Sequence, residues 1–249
     1  MEGPVREQLA KAFHETQSFK WDPQGGFKLA SGLTSPFYVD CRALMAHPGA
    51  RRLVGQLAYE ALRGVEVQCL GGLEIGAISI ATTISDYAFT AQPARDWRTF
   101  VVRKQAKDHG LGKLIEGAYK AGERALIVDD VLTSGGSLLK AVAAARGAGL
   151  TVTHALVIVD RQEQDGRKKV EAEGLTVVSL LTINDLTNTL PGRRSIDRAS
   201  VAHAQSYALY GQGTINMRND RLHLTLGGRY TNDQKDGSLY IVNNAPTNL

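Results

Sequence analysis

The chain has 249 residues, 43% of them hydrophobic and 22% charged, an ordinary balance for a soluble globular protein. No apolar run reaches the roughly 18 to 20 residues that cross a bilayer as a helix. The formal net charge is +4, but residues 187–249 hold seven Lys+Arg against four Asp+Glu and so carry most of it. The remaining body is near neutral, which excludes the bulk electrostatic signature of a nucleic-acid binder. This length fits one large domain, or one domain with an appendage. MEGPVREQLAKAF at the N-terminus has no apolar signal core, so a cytoplasmic location is expected.

In chain order, residues 4–16 predict a helix with Val5, Leu9 and Phe13 spaced four apart. WDPQGG breaks the chain, and FKLASGLTSPFYVDCR reads as a hairpin or strand pair. Residues 48–63 predict a helix with Leu53, Leu57 and Leu62 on one side. Short apolar runs then alternate with helical stretches: VEVQCLGG before AISIATTISDYAF, TFVVRK before a polar segment, ALIVDDV before SLLKAVAAARGAG, and then VTHALVIVDR. Such alternation predicts an α/β fold with a mostly parallel sheet flanked by helices. Cys41 and Cys69 show no metal-ligand spacing and are expected as small buried thiols in a reducing compartment.

From Thr187 the character changes, and a boundary is expected near 186. TNTLPGRRSIDRAS reads as a polar connector. SYALYGQGTINMRNDRLHLTLGGRYTNDQKDG alternates with period two around a turn at Arg218-Asn219-Asp220. Tyr207, Leu209, Ile215 and Met217 share one strand face, and Leu222, Leu224 and Leu226 share another. A β-hairpin-like appendage is predicted for residues 187–249, as a β-rich or poorly ordered tail.

In parallel sheets, ligands bind beyond the carboxyl ends of the strands, where loops meet helix N-termini. GGLEIGA, DDVLTSGGS and the Asp160-Arg161 pair all fall at such ends. In Thr133-Ser134-Gly135-Gly136-Ser137, small residues let backbone N–H groups approach a ligand. The helix expected to begin near Leu138 adds its dipole, which makes an anion site suited to a phosphate monoester. The same five residues also fit a tight turn with Thr133 or Ser134 as an N-cap. Asp129 and Asp130, closing an apolar strand, repel one another and need partners such as ribose hydroxyls or a metal-bound sugar.

VDDVLTSGGS resembles the signature of the type I phosphoribosyltransferases, and that resemblance implies their fold, with a small N-terminal hood. It implies that Asp129 and Asp130 meet the ribose hydroxyls of 5-phosphoribosyl-1-diphosphate. Val131, Leu132, Thr133, Ser134, Gly135, Gly136 and Ser137 would then wrap its 5′-phosphate.

VVRKQAKDHGLGKLIEG places Arg103, Lys104, Lys107 and His109 within seven positions, ahead of Gly110 and Gly112. A charge run of this kind is most often a solvated loop. RKQAKDHG nevertheless resembles the catalytic loop of the orotate branch of the family, FKLASGLTSPFYVDCR its hood, and VDRQEQDGRKKVEAEG its nucleobase-side segment. The resemblance spans about residues 5–186.

It implies transfer of ribose 5-phosphate from 5-phosphoribosyl-1-diphosphate to orotate, giving orotidine 5′-monophosphate and pyrophosphate in pyrimidine biosynthesis. The implied cofactor is Mg²⁺, held mostly by substrate and water, with no protein ligand set. The implied partner is a second copy, in a homodimer whose catalytic loop is shared, and no nucleic acid or membrane is expected. Arg103, Lys104, Lys107 and His109 would neutralise the leaving pyrophosphate, with Lys107 foremost. Arg161 and Thr133 would meet orotate, and Tyr38 either packs on the base or serves as plain hydrophobic packing.

Two departures stand out. Ala30 occupies a hood position where family members often have lysine, and GGLEIGAIS lacks the lysine some carry on the pyrophosphate side, which implies weaker leaving-group binding. Two alternatives remain: transfer to another nucleobase, and a phosphoribosyltransferase-like regulator that binds RNA. The tail resembles a strand pair from the barrel of a TonB-dependent outer-membrane receptor. Two strands cannot satisfy their edges in lipid, so it reads as a fused fragment.

Overall fold

The computed structural model describes residues 2–22, 24–28, 34–105 and 114–189, and the backbone of 193–200, 211–216, 223–228 and 238–244. Helix α1 (Glu2–Glu15) buries Leu9 and Phe13, one turn apart on the same face. Strand β1 (Phe19–Trp21) pairs antiparallel with β4 (Phe37–Val39), and between them β2 (Phe27–Lys28) pairs with β3 (Thr34–Ser35). The hood is thus one hairpin nested inside another strand pair. Phe19 stacks on Phe37 with centroids 5.9 Å apart. Lys28 is exposed, and Ala30 lies outside the described residues.

Helix α2 (Cys41–Ala46) starts at Asp40, whose carboxylate accepts the N–H groups of Arg42 and Ala43. In α3 (Pro48–Ala61), Val54 and Leu57 are buried, as is Leu62 just beyond, whereas Leu53 is only half-buried. The sheet then forms from β5 (Cys69–Leu73), β6 (Arg98–Val102), β7 (Ile115–Gly117), β8 (Arg124–Leu132), β9 (Thr151–Asp160) and β10 (Thr176–Thr182). Helices α4 (Gly76–Thr90), α5 (Gly136–Gly147) and α6 (Gly166–Ala172) connect its strands, and α7 (Ile183–Asn188) follows.

The strand order is β10-β9-β8-β5-β6-β7, parallel throughout except for the edge strand β7. Ala125–Val128 and Ala155–Val159 are buried without alternation, because helices cover both faces of the sheet. β7, only three residues long, gave no separate signal within its polar segment.

This order contains a switch point. From β5 the chain runs outward to β6 on one side and returns to β8 on the other. Pairing between β5 and β8 stops at Gly71 and Ile127, although β8 continues five residues further along β9. The carboxyl ends of β5 and β8 meet at this switch point, which is where α/β sheets hold their ligands.

The chain divides into two compact units, Met1–Ile183 and Asn184–Leu249. In the second, β11 (Arg193–Ser200), β12 (Gly211–Asn216), β13 (His223–Gly228) and β14 (Ser238–Asn244) form an antiparallel sheet ordered β11-β14-β13-β12. The expected pair of strands is present as β12 and β13. β14 and β11 extend this pair to four strands, and the polar-connector reading is corrected for residues 193–200, which form β11 because backbone pairing with β14 does not require apolar side chains. Tyr207, Leu209, Met217, Leu222 and the turn at 218–220 lie outside the described residues. Among the described residues, no helix is long and apolar enough to cross a membrane.

Candidate active site

Asp129 and Asp130 lie within β8, not at its end: Val131 and Leu132 extend the strand beside Val159 and Asp160. The expectation that the strand stops at the acids is corrected, since β9 keeps offering backbone partners. The acids stand beyond the last β5–β8 pairing. Asp129 accepts the N–H of Asp130 at 2.9 Å, and Asp130 accepts that of Val131 at 2.8 Å. Asp130 faces the start of α4, its Oδ2 3.2 Å from where a Cβ on Gly76 would stand. Asp129 is only 8% exposed. Burial first, and the neighbouring Asp130 second, raise its pKa to about 7. Cys41 lies beneath, with Sγ 3.7 Å from the Asp130 carbonyl. Burial, with Asp130, Asp40 and Asp129 adding to it, pushes this thiol well above its ordinary value.

The loop after β8 ends at Gly135, which adopts φ 81° and serves as the N-cap of α5 with no side-chain hydrogen bond. The helix begins at Gly136, two residues before the predicted start, and the alternative in which Thr133 or Ser134 caps it is overturned. The left-handed conformation suits glycine, and a Cβ there would also lie 2.9 Å from Val170. Ser134, Gly136 and Ser137 are exposed, while Thr133 and Val131 are half-buried. Leu132 is buried in the core, so only its backbone serves the loop. Gly166, the first residue of α6, packs so closely on the Thr133 carbonyl that a Cβ would collide with it. The phosphate-type loop thus rests on the segment that follows Arg161.

The basic segment leaves the sheet after β6. The Arg103 N–H donates to the Leu114 carbonyl at 2.9 Å, and its Nη1 lies 3.6 Å from Glu116. The Lys104 N–H donates to Glu74 Oε1 at 2.9 Å. Glu74, in the lysine-free GGLEIGA loop, therefore holds the point where the basic segment departs. Lys107 and His109 lie outside the described residues. A cleft of about 990 Å³ has Arg103, Lys104, Ser137 and Lys140 in its lining, which brings the base of this segment to the first turns of α5.

On the other side of β8, Arg161 follows β9 and is 3% exposed. Its Nη2 donates to Ser35 Oγ at 2.6 Å and to the Phe37 carbonyl at 3.2 Å, and its Nε donates to Glu163 at 3.0 Å. Asp160 accepts Arg167 Nε at 2.8 Å and the Gln162 N–H at 2.8 Å, so it braces the turn. Tyr38 is half-buried, with its ring 5.7 Å from Phe27. Ser35, Glu163 and Gly166 were not singled out from the sequence. Their signal lay in the Ser-Pro of the hood and in the Glu and Gly of DRQEQDG, whose meeting requires the fold.

Residues 42–185 match the model of the phosphoribosyl transferase domain. An orotate phosphoribosyltransferase of Aquifex aeolicus is 38% identical over 181 residues, covering 73% of this chain and 97% of that protein. The chain belongs to the orotate phosphoribosyltransferase family. A relative of the same name from Pyrococcus abyssi is 36% identical over 184 residues, with 73% and 95% covered. Among solved structures, a Mycobacterium tuberculosis orotate phosphoribosyltransferase in complex with Fe(III) dicitrate is 38% identical, with TM-score 0.63 over 74% of this chain and 99% of that one. The same enzyme in complex with 5-phospho-alpha-D-ribosyl 1-diphosphate aligns with TM-score 0.57 at 33% identity, covering 74% and 92%.

A hard divalent cation fits the family site through oxygen chemistry. The carboxylates of Asp129 and Asp130 are hard oxygen donors of the kind such an ion takes.

Proposed function

We propose that the chain transfers ribose 5-phosphate from 5-phosphoribosyl-1-diphosphate to N1 of orotate, releasing pyrophosphate and forming orotidine 5′-monophosphate for pyrimidine synthesis. The observation that carries this reading is the grouping at the β5–β8 switch point. The acid pair of β8 leads through a small-residue loop into the first turn of α5, which has no side-chain cap, and the neighbouring strand β9 ends at a buried arginine.

In this reading Asp129 and Asp130 orient the ribose hydroxyls while Ser134, Gly136 and Ser137 offer backbone donors to the 5′-phosphate. Breaking the anomeric bond builds positive charge on the ribose and negative charge on pyrophosphate, so catalysis is mainly positional and electrostatic. Arg103, Lys104, Lys107 and His109 neutralise the leaving group, and Lys107 matters most among them. Mg²⁺, when bound with the diphosphate, supplies further charge neutralisation. Arg161 and Thr133 recognise the base, and Tyr38 packs near it.

A homodimer that shares the basic segment across subunits is part of the proposal. Ile75 and Ile78, exposed at the start of α4, offer an apolar patch in its support. A cytoplasmic setting is supported by the two buried free thiols, Cys41 and Cys69.

The deciding assay follows loss of orotate with 5-phosphoribosyl-1-diphosphate and Mg²⁺, beside uracil, adenine and hypoxanthine. Turnover confined to orotate is expected. Preference for another base overturns the choice of acceptor, and RNA binding without turnover would favour a regulator.

A further inference from the structure

Two segments converge on the buried guanidinium of Arg161, and a third holds its backbone. The hood contributes Ser35 and the Phe37 carbonyl to the guanidinium, the nucleobase-side turn contributes Glu163, and at the end of β8 the Leu132 carbonyl accepts the backbone N–H of Arg161 at 3.0 Å. The side chains close a ring. Arg161 Nη2 donates to Ser35 Oγ, Ser35 Oγ donates to Glu163 Oε1 at 3.4 Å, and Glu163 accepts from Arg161 Nε and Nη2 at 3.0 and 3.4 Å. The Phe37 N–H also donates to Ser35 Oγ at 3.2 Å, which fixes the hydroxyl from the hood side.

We propose that Ser35 and Glu163 are positioning residues that set the plane of the Arg161 guanidinium for the base, so that the hood and the nucleobase-side turn act as one clamp. This rests on the reading in which Arg161 meets orotate. An arginine side chain is long and rotamer-rich, and a planar fork recognises a planar ligand only if its own plane is fixed beforehand. A salt bridge to Glu163, itself only 15% exposed, fixes one edge of that fork, and the Ser35 hydroxyl fixes the rotation about it. The turn is shaped for this. Gln162, Gln164 and Asp165 take positive φ of 54°, 55° and 51°, and this folds the chain on both sides of Glu163 back toward Arg161. Non-glycine residues hold such values only where surrounding contacts over-determine them.

The test compares Ser35→Ala, Glu163→Gln, Arg161→Lys and the Ser35→Ala/Arg161→Lys pair. It measures KM for orotate and for 5-phosphoribosyl-1-diphosphate, kcat, and thermal melting. Arg161→Lys should raise the orotate KM roughly tenfold or more, and Ser35→Ala and Glu163→Gln roughly fivefold, with the other substrate's KM within about twofold. In the Arg161→Lys background, Ser35→Ala should add less than about twofold, because its effect passes through the arginine.

An unchanged orotate KM in Ser35→Ala and Glu163→Gln, beside a raised one in Arg161→Lys, overturns the clamp and leaves the Arg161 reading standing. An unchanged KM in all three overturns both. A lower orotate KM in Glu163→Gln shows Glu163 competing with substrate and also overturns the clamp. Ser35→Ala keeps the charge pair intact, so it decides the matter if Glu163→Gln fails to fold.

Discussion

Asp129, proposed to orient the ribose, shows how a single carboxyl can be costly to the fold. It is buried against Asp130, and its pKa is raised to about 7. In the unfolded chain an aspartate titrates near ~3.9. The folded state therefore holds the proton over a range in which the unfolded state has lost it, and stability falls as pH rises from about 4 to about 7, then levels off. Asp129→Asn should flatten this decline and leave the variant more stable than the parent above about pH 7. Tryptophan fluorescence melts in ligand-free protein measure it, since both tryptophans, Trp21 and Trp97, lie in the first compact unit. Parallel melting-temperature profiles for the two proteins would refute the assignment.

At the scale of elements, the phosphate-type loop is shaped by α6 as much as by α5. Gly135 turns the chain into α5, and Gly166 lets the start of α6 press on Thr133. Gly166→Ala should push the loop out of place, raise the KM for 5-phosphoribosyl-1-diphosphate at least tenfold, and cost about 1–3 kcal/mol of stability as an overpacking change. Unchanged binding of that substrate would show that the loop does not depend on α6. VDDVLTSGGS made the acid pair and the loop legible because strand, small residues and helix are consecutive in the chain. The support from DRQEQDG was not legible, because it lies thirty residues away and reaches Thr133 only through the adjacency of β8 and β9.

For the whole molecule, residues 42–185 account for the family match, and the second compact unit lies outside it from residue 186 onward. Deleting residues 188–249 should leave kcat and both KM values within about twofold, because each described site residue belongs to the first unit. The excess of basic over acidic residues in 187–249 also means that the truncated protein should bind heparin or RNA more weakly at low salt. Loss of turnover on truncation would make the tail part of the working enzyme, against the reading of a fused fragment.

By itself the sequence determined the alternation of strands and helices, the acid pair, the small-residue loop and the basic segment, since each is a local pattern of period, size or charge. It misjudged the end of β8, the start of α5 and the connector that became β11. Those boundaries are decided by pairing with β9, by Gly135's left-handed backbone and by pairing with β14. Only the tertiary structure brought Ser35 into one ring with Arg161 and Glu163, because its hydrogen bonds to them join residues more than a hundred positions apart. Paired carboxylates and bare backbone donors can be read from a chain. Which buried neighbours hold an arginine in its plane depends on how the hood folds over the sheet.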